Sequence, residues 1–298
     1  TTEIYTLSLH DALPISGRVT SHLQTSQSGL YPMNALQQKA QELLANGQAQ
    51  VVIGYGKGSN GKSRAVFAQK PEQAGSLIWD DSCRQNLATY LFKPEIKKLG
   101  KLALVASTPV LRSVIQLAAE NQIQEGEITL LAVQDQQLIE ISDWASAEKY
   151  VNSQPLTIDD QDRRTLEELD KLSMQERWQY WQEEVSRCFK CYACRAACPM
   201  CYCTRCTVEC NQPQWIPVAA HQQGTWEWHI MRAMHLAGRC ISCGACGRAC
   251  PLDIPIHLLT MKVEEDIFKE YGVRAGTAVK TEHALSSYRA NDSETFII

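Results

Sequence analysis

Twelve of the thirteen cysteines in this chain fall between residues 188 and 250, at spacings that suit metal-bound thiolates. The first run is Cys188-x-x-Cys191-x-x-Cys194-x-x-x-Cys198-Pro199, and the second is Cys240-x-x-Cys243-x-x-Cys246-x-x-x-Cys250-Pro251. Such a run ligates a [4Fe–4S] cluster. Three closely spaced loop cysteines supply three soft thiolates, and the last cysteine of each run reaches across to the other cluster. By that rule Cys188, Cys191, Cys194 and Cys250 hold one cluster, and Cys240, Cys243, Cys246 and Cys198 hold the second. A four-thiolate zinc site is the competing reading. The doubled run, each copy ending in proline, favours iron and sulfur.

About forty residues separate the two runs, and they open with Cys201-Tyr202-Cys203-Thr204-Arg205-Cys206, followed by Cys210. Cys201, Cys203, Cys206 and Cys210 form a candidate third centre: an iron–sulfur cluster, a zinc ion, or thiols without a ligand. Arg195, Arg205, Arg232, Arg239 and Arg248 lie in the same region, where they would offset cluster charge and raise reduction potentials. His235 shares a predicted helix face with Trp228 and Met231, so packing is its expected role. Cys83, alone in the other half, reads as a small core residue.

Two further stretches invite a ligand. Residues 56–63, GKGSNGKS, satisfy the phosphate-loop pattern G-x-x-x-x-G-K-[ST]. That chemistry needs a helix N-terminus directly after the loop. Here Val66 and Phe67 favour strand and Pro71 follows soon after, so the expectation is a hairpin turn. The Ser107-Thr108 turn lies between a predicted strand and helix, where open α/β sheets bind ligands. It is a weak flavin or phosphate candidate, because Thr108 as N-cap and Pro109 at the first helical position explain it as a bare cap.

The elements that must hold these residues follow from periodicity and punctuation. Helix is expected over 34–46, stopped by Gly47, and strand over 51–53. A capped helix over 81–93 is predicted to end before Pro94. A strand over 102–106, a helix to about Asn121 and a strand over 128–133 make a parallel strand–helix–strand unit. Thr165-x-x-Glu168 and Ser173-x-x-Glu176 both have capping-box form, and the second opens a helix with Trp178, Trp181 and Val185 on the face that would cover the clusters. Residues 226–238 read as helix. A last helix has Ile256, Leu259, Val263 and Ile267 inward and Tyr271-Gly272 at its end. The resulting division is an α/β domain over 17–155, a helical connector over 156–187, a helical, loop-rich dicluster module over 188–276, and a loose polar tail over 277–298. Residues 6–16, TLSLHDALPIS, resemble the translation of a sequencing adapter, so 1–16 read as non-native.

Composition bounds the function. A chain of 298 residues with 44% apolar and 21% charged residues is ordinary for a globular protein. Its net charge of −4 gives no basic field for nucleic acid. No apolar run reaches the roughly 20 residues of a membrane helix. Cysteines gathered at ligand spacings fit a reducing cytoplasm.

The doubled motif resembles those of dicluster ferredoxin-type electron-transfer subunits. The strand at 102–106, its Ser107-Thr108-Pro109 turn, the helix and the next strand resemble the beta-subunit family of coenzyme F-420 hydrogenases and formate dehydrogenases. The stretches RCFKCYACRAACPMCYCTRC and GRCISCGACGRACPLDIP are similar to members associated with heterodisulfide-reductase-like flavoproteins of anaerobes. Members that reduce the deazaflavin with FAD carry a cysteine after that proline, where this chain has Val110. The resemblance therefore implies an electron-relay subunit of an anaerobic oxidoreductase complex. Its partners would be a hydrogenase or formate dehydrogenase and the flavoprotein. The alternatives are a catalytic FAD subunit acting on a deazaflavin or nicotinamide, and a binding protein stapled by structural clusters.

Overall fold

The computed structural model describes residues 33–280 apart from 60, 135, 136, 157, 207 and 211, all within one compact unit. The adapter-like segment 1–16 and all of the tail beyond residue 280 lie outside the described residues.

The first half is a five-stranded mixed sheet with helices. Helix α1 (Met33–Ala45) ends at Gly47, whose φ of +68° is the left-handed stop the sequence predicts. Strands β1 (Val51–Lys57) and β2 (Ser63–Ala68) pair antiparallel, so residues 56–63 join a hairpin as expected and no helix follows Ser63. Strands β3 (Leu102–Ala106), β4 (Ile128–Gln134) and β5 (Gln137–Ile141) complete the order β2-β1-β3-β4-β5. The β1–β3 and β3–β4 pairs are parallel and β4–β5 is antiparallel. Every residue of β3 is buried, as a central parallel strand requires.

The predicted helix over 81–93 does not form. Asp80 instead accepts hydrogen bonds from the Ser82 N–H (2.9 Å) and hydroxyl (2.5 Å), closing a tight turn. Asn86 then caps a 3₁₀ turn over Leu87–Tyr90 and donates to Ser113 Oγ at 2.8 Å. Short polar side chains have bonded the backbone locally in place of helix. The turn buries Cys83 in the core. A single turn, α2 (Pro94–Lys97), follows.

Helix α3 (Thr108–Ala119) gives the parallel crossover from β3 to β4. Its N-cap position is Ser107 rather than Thr108, and no side chain caps it. Helix α4 (Trp144–Ser153), absent from the sequence reading, starts at the Asp143 cap.

A helical region follows. Helix α5 (Asp160–Lys171) is capped by Asp159, so Thr165 lies mid-helix with its hydroxyl bonded to the Gln161 carbonyl, and the first predicted capping box is not a cap. The second is realised: Glu176 N donates to Ser173 Oγ (3.3 Å) and Ser173 N to Glu176 Oε2 (2.8 Å), opening α6 (Met174–Ser186). Four-residue helices α7 (Ala193–Ala196) and α9 (Ala245–Arg248) flank α8 (Gln222–His235). Helix α10 (Ile256–Tyr271) ends at Gly272 in the left-handed conformation. Its inward face is Ile256, Thr260, Met261 and Glu264, while Leu259, Val263 and Ile267 are only half buried. The start of the tail is tethered rather than loose. Val279 N donates to Glu148 (2.7 Å) and Asn152 to the Thr277 carbonyl (3.0 Å), both on α4.

The two halves share one core. Met200 and Leu236 are buried in the same cluster as the sheet. Glu120, just past α3, accepts a bidentate pair from Arg239 (2.8 and 2.5 Å) and the Tyr202 hydroxyl (2.7 Å). Burial pushes the Glu120 carboxyl up, but Arg239, Gln116 and Tyr202 outweigh it and hold it below the usual range.

Candidate metal-thiolate centre

The two cysteine runs have the same backbone, residue for residue. In each, the residue two after the first cysteine and the residue after the second cysteine are left-handed: Lys190 (φ 57°) and Tyr192 (59°), then Ser242 (56°) and Gly244 (68°). The turn aims an N–H at the first sulfur. Lys190 N lies 3.4 Å from Cys188 Sγ, and Ser242 N lies 3.4 Å from Cys240 Sγ. Left-handed lysine, tyrosine and serine cost free energy, and such strain persists where surrounding contacts fix it. Tyr192 is fixed by an edge-to-face contact with Trp228, ring centres 5.2 Å apart.

The runs meet. Cys198, from the first, and Cys240, Cys243 and Cys246, from the second, line one narrow cavity of about 20 Å³. Burial pushes the Cys188 thiol up, and among its neighbours are the charges of Cys191 and Cys250, the latter from the second run. Burial also pushes Cys194 and Cys240 up to about 12. The Cys201 N–H donates to the Cys198 carbonyl (3.1 Å), and the interaction of the two thiols holds Cys201 below the ordinary thiol range and Cys198 above it. None of the thirteen cysteines is in a disulfide. Among the described residues no three Cys, His, Asp or Glu side chains converge as ligands of a single metal ion.

Arg232 stands at the centre of this chemistry, 4% exposed. Burial works against its charge, yet Cys246, Cys198, Cys201 and Cys194 outweigh burial and hold the guanidinium well above its usual range. One of its amine nitrogens donates to the Cys194 carbonyl (3.2 Å), while its Nε has no hydrogen-bond partner. His229, 3% exposed, places Nε2 at 3.3 Å from Cys188 Sγ. Burial, with Arg232 and Lys190 adding to it, lowers its pKa to about 3, so the ring is neutral. The sequence reading missed both environments, because it centred the buried face of α8 on Trp228, Met231 and His235. Met231 and His235 are exposed. The signal was the polar pair His229 and Arg232, three apart, with Arg232 one turn on from buried Trp228 on the same face.

The other predicted residues fall as follows. Cys201, Cys203 and Cys206 line a cavity of about 360 Å³, whereas Cys210 is exposed and turns its thiol to the Cys206 carbonyl at 2.8 Å. Of the five arginines, only Arg232 faces several thiols while buried. Arg195 pairs with Glu209 (3.3 Å), Arg239 with Glu120, Arg248 bonds the Arg84 and Cys243 carbonyls, and Arg205 is exposed. Trp178 stacks on Trp226 (4.7 Å) and Trp181 packs beside buried Val185, so the α6 stripe covers the cysteine region as expected. Ser107, but not Thr108, lines a cavity of about 330 Å³ that reaches Cys243.

Thiols around the narrow cavity and a buried guanidinium with an unpartnered N–H make a donor set and a charge that fit an anionic, thiolate-ligated cluster. No protein-family model matches the chain, and no curated protein matches it. Among the described residues no helix is long and apolar enough to cross a membrane.

Proposed function

We propose that this protein is an iron–sulfur electron-transfer subunit with a ferredoxin-like dicluster module, working in a reducing cytoplasm. The observation that carries the reading is the cavity lined by Cys198 together with Cys240, Cys243 and Cys246, because cross-ligation between runs is the arrangement of two-cluster ferredoxins. Bound [4Fe–4S] clusters would supply one-electron chemistry at both sites. Every other task belongs to the chain. Cys188, Cys191, Cys194 and Cys250 would hold one cluster, and Cys198, Cys240, Cys243 and Cys246 the other, each thiol losing its proton to solvent on ligation. The N–H groups of Lys190 and Ser242 and the Nε2–H of His229 would donate to thiolate sulfur and favour the more negative, reduced state, and Arg232 sets a fixed positive charge beside thiols of both runs. Trp181 and Trp226 pack with Cys188 and Cys194 and would shield the first run from water. The walls of the narrow cavity must spread to admit a cluster. By resemblance, the electron partners are a hydrogenase or formate dehydrogenase on one side and a heterodisulfide-reductase-like flavoprotein on the other.

One observation favours a second reading, a catalytic flavin subunit: the Ser107 turn and Cys243 share a cavity. Anaerobic purification, followed by iron, sulfide and flavin assay, separates the two. The relay reading expects at least about eight irons and sulfides per chain and no flavin released on denaturation. Stoichiometric flavin would favour the catalytic reading, and fewer than about four irons would sink both.

A further inference from the structure

We infer that Cys201, Cys203 and Cys206 hold a third iron–sulfur cluster and that Cys210 takes no part in it. The inference rests on the reading of the chain as an iron–sulfur protein. The three thiols line one cavity of about 360 Å³ together with Arg195, Arg232 and Arg239. That is far more room than a single ion needs, since a zinc ion would draw its thiolates to about 2.3 Å from one point. Two of the three guanidinium groups already have carboxylates: Arg195 has Glu209 and Arg239 has Glu120. Arg232 is different. It is 4% exposed, and its Nε has no hydrogen-bond partner. A buried cation lining a thiol-walled cavity calls for an anionic occupant, and a cluster ligated by thiolates is one.

Position supports the same occupant. The Cys201 N–H donates to the carbonyl of Cys198 (3.1 Å), a proposed ligand of the second cluster, so the third site adjoins that cluster. His235, exposed, lines the same cavity. Cys210 is set aside by its geometry: it does not line the cavity, and its thiol donates to the Cys206 carbonyl (2.8 Å).

Iron and acid-labile sulfide counts on the anaerobically reconstituted full chain decide the matter. The expected values are about twelve of each in the wild type, about eight in Cys203→Ala/Cys206→Ala, and about twelve in Cys210→Ala. A wild-type count of about eight overturns the third cluster and leaves the two-cluster reading standing. One zinc per chain beside eight irons also overturns it. So does a double variant that keeps the wild-type count or loses all its iron, or a Cys210→Ala variant that loses as much as the double variant. A wild-type count of about four or fewer would remove both readings.

Discussion

A guanidinium without a carboxylate is tolerable in a protein interior only when something else nearby is anionic, and for Arg232 that something is sulfur. His229 belongs to the same environment. A metal-bound thiolate only accepts hydrogen bonds, so the Nε2–H tautomer is the one that fits the 3.3 Å contact with Cys188. Such a bond lowers the electron density on sulfur and favours reduction. His229→Phe should therefore lower the potential of the cluster held by Cys188. A differential of about 1 kcal/mol per electron corresponds to roughly 40 mV. Electron paramagnetic resonance during a redox titration reads the shift, and an unchanged or raised potential would remove His229 from the account. At this scale the paired cysteine runs stood out by their repeated spacing, while His229 and Arg232 carried no such mark. Periodicity assigns the buried face of a helix to its apolar residues, and α8 buries three polar ones, Thr225, His229 and Arg232.

The two cysteine loops are the elements that repeat, and their left-handed residues were invisible to pattern reading because three of the four are not glycine. Gly244 is the exception. Its φ of +68° matches Tyr192 in the first loop, so this is one turn built with two residue types. Helix α10 shows the same limit as α8. Its inner face carries Thr260 and Glu264, polar residues that the apolar periodicity passed over. Glu264 accepts the Ala275 N–H (3.2 Å) and so ties the helix to the turn that follows it. Burial pushes its carboxyl up to about 7, against the pull of the Ala275 N–H, Arg112 and Arg274. An unfolded carboxyl ionises near its ordinary value, so between about 4.5 and about 7 the folded state holds the proton and the unfolded state does not. Stability from this group is thus present at the acidic end and lost as pH rises through that window, by up to about 3 kcal/mol. Thermal unfolding across the window should show that slope, and Glu264→Gln should flatten it. A wild-type slope that survives the substitution would place its origin elsewhere.

In the whole molecule the α/β half and the cysteine region form a single packed body. Arg112 of α3, itself buried, donates to the Ile241 carbonyl in the second loop (3.3 Å) and to the Ala275 carbonyl (2.7 Å). With the Glu120–Arg239–Tyr202 network, this fixes the second cysteine run against the sheet. The sheet was largely readable, since β1, β3, α3, β4 and the hairpin at 56–63 all carry local signals. The union of the halves was not, because single buried arginines and one glutamate make it across more than a hundred residues, and no local pattern announces such bonds. The second cysteine run, the proposed second cluster site, is thereby held against the sheet by buried bonds, which suits electron transfer with little rearrangement. Reversible reduction is therefore the most direct measurement. In a reductive titration of the anaerobically reconstituted chain, followed by electron paramagnetic resonance, signals of reduced [4Fe–4S] clusters should appear, couple to one another, and vanish on reoxidation with no loss of iron. Clusters that cannot be reduced, or that fall apart when they are, would contradict the relay and leave the cysteines as structural staples.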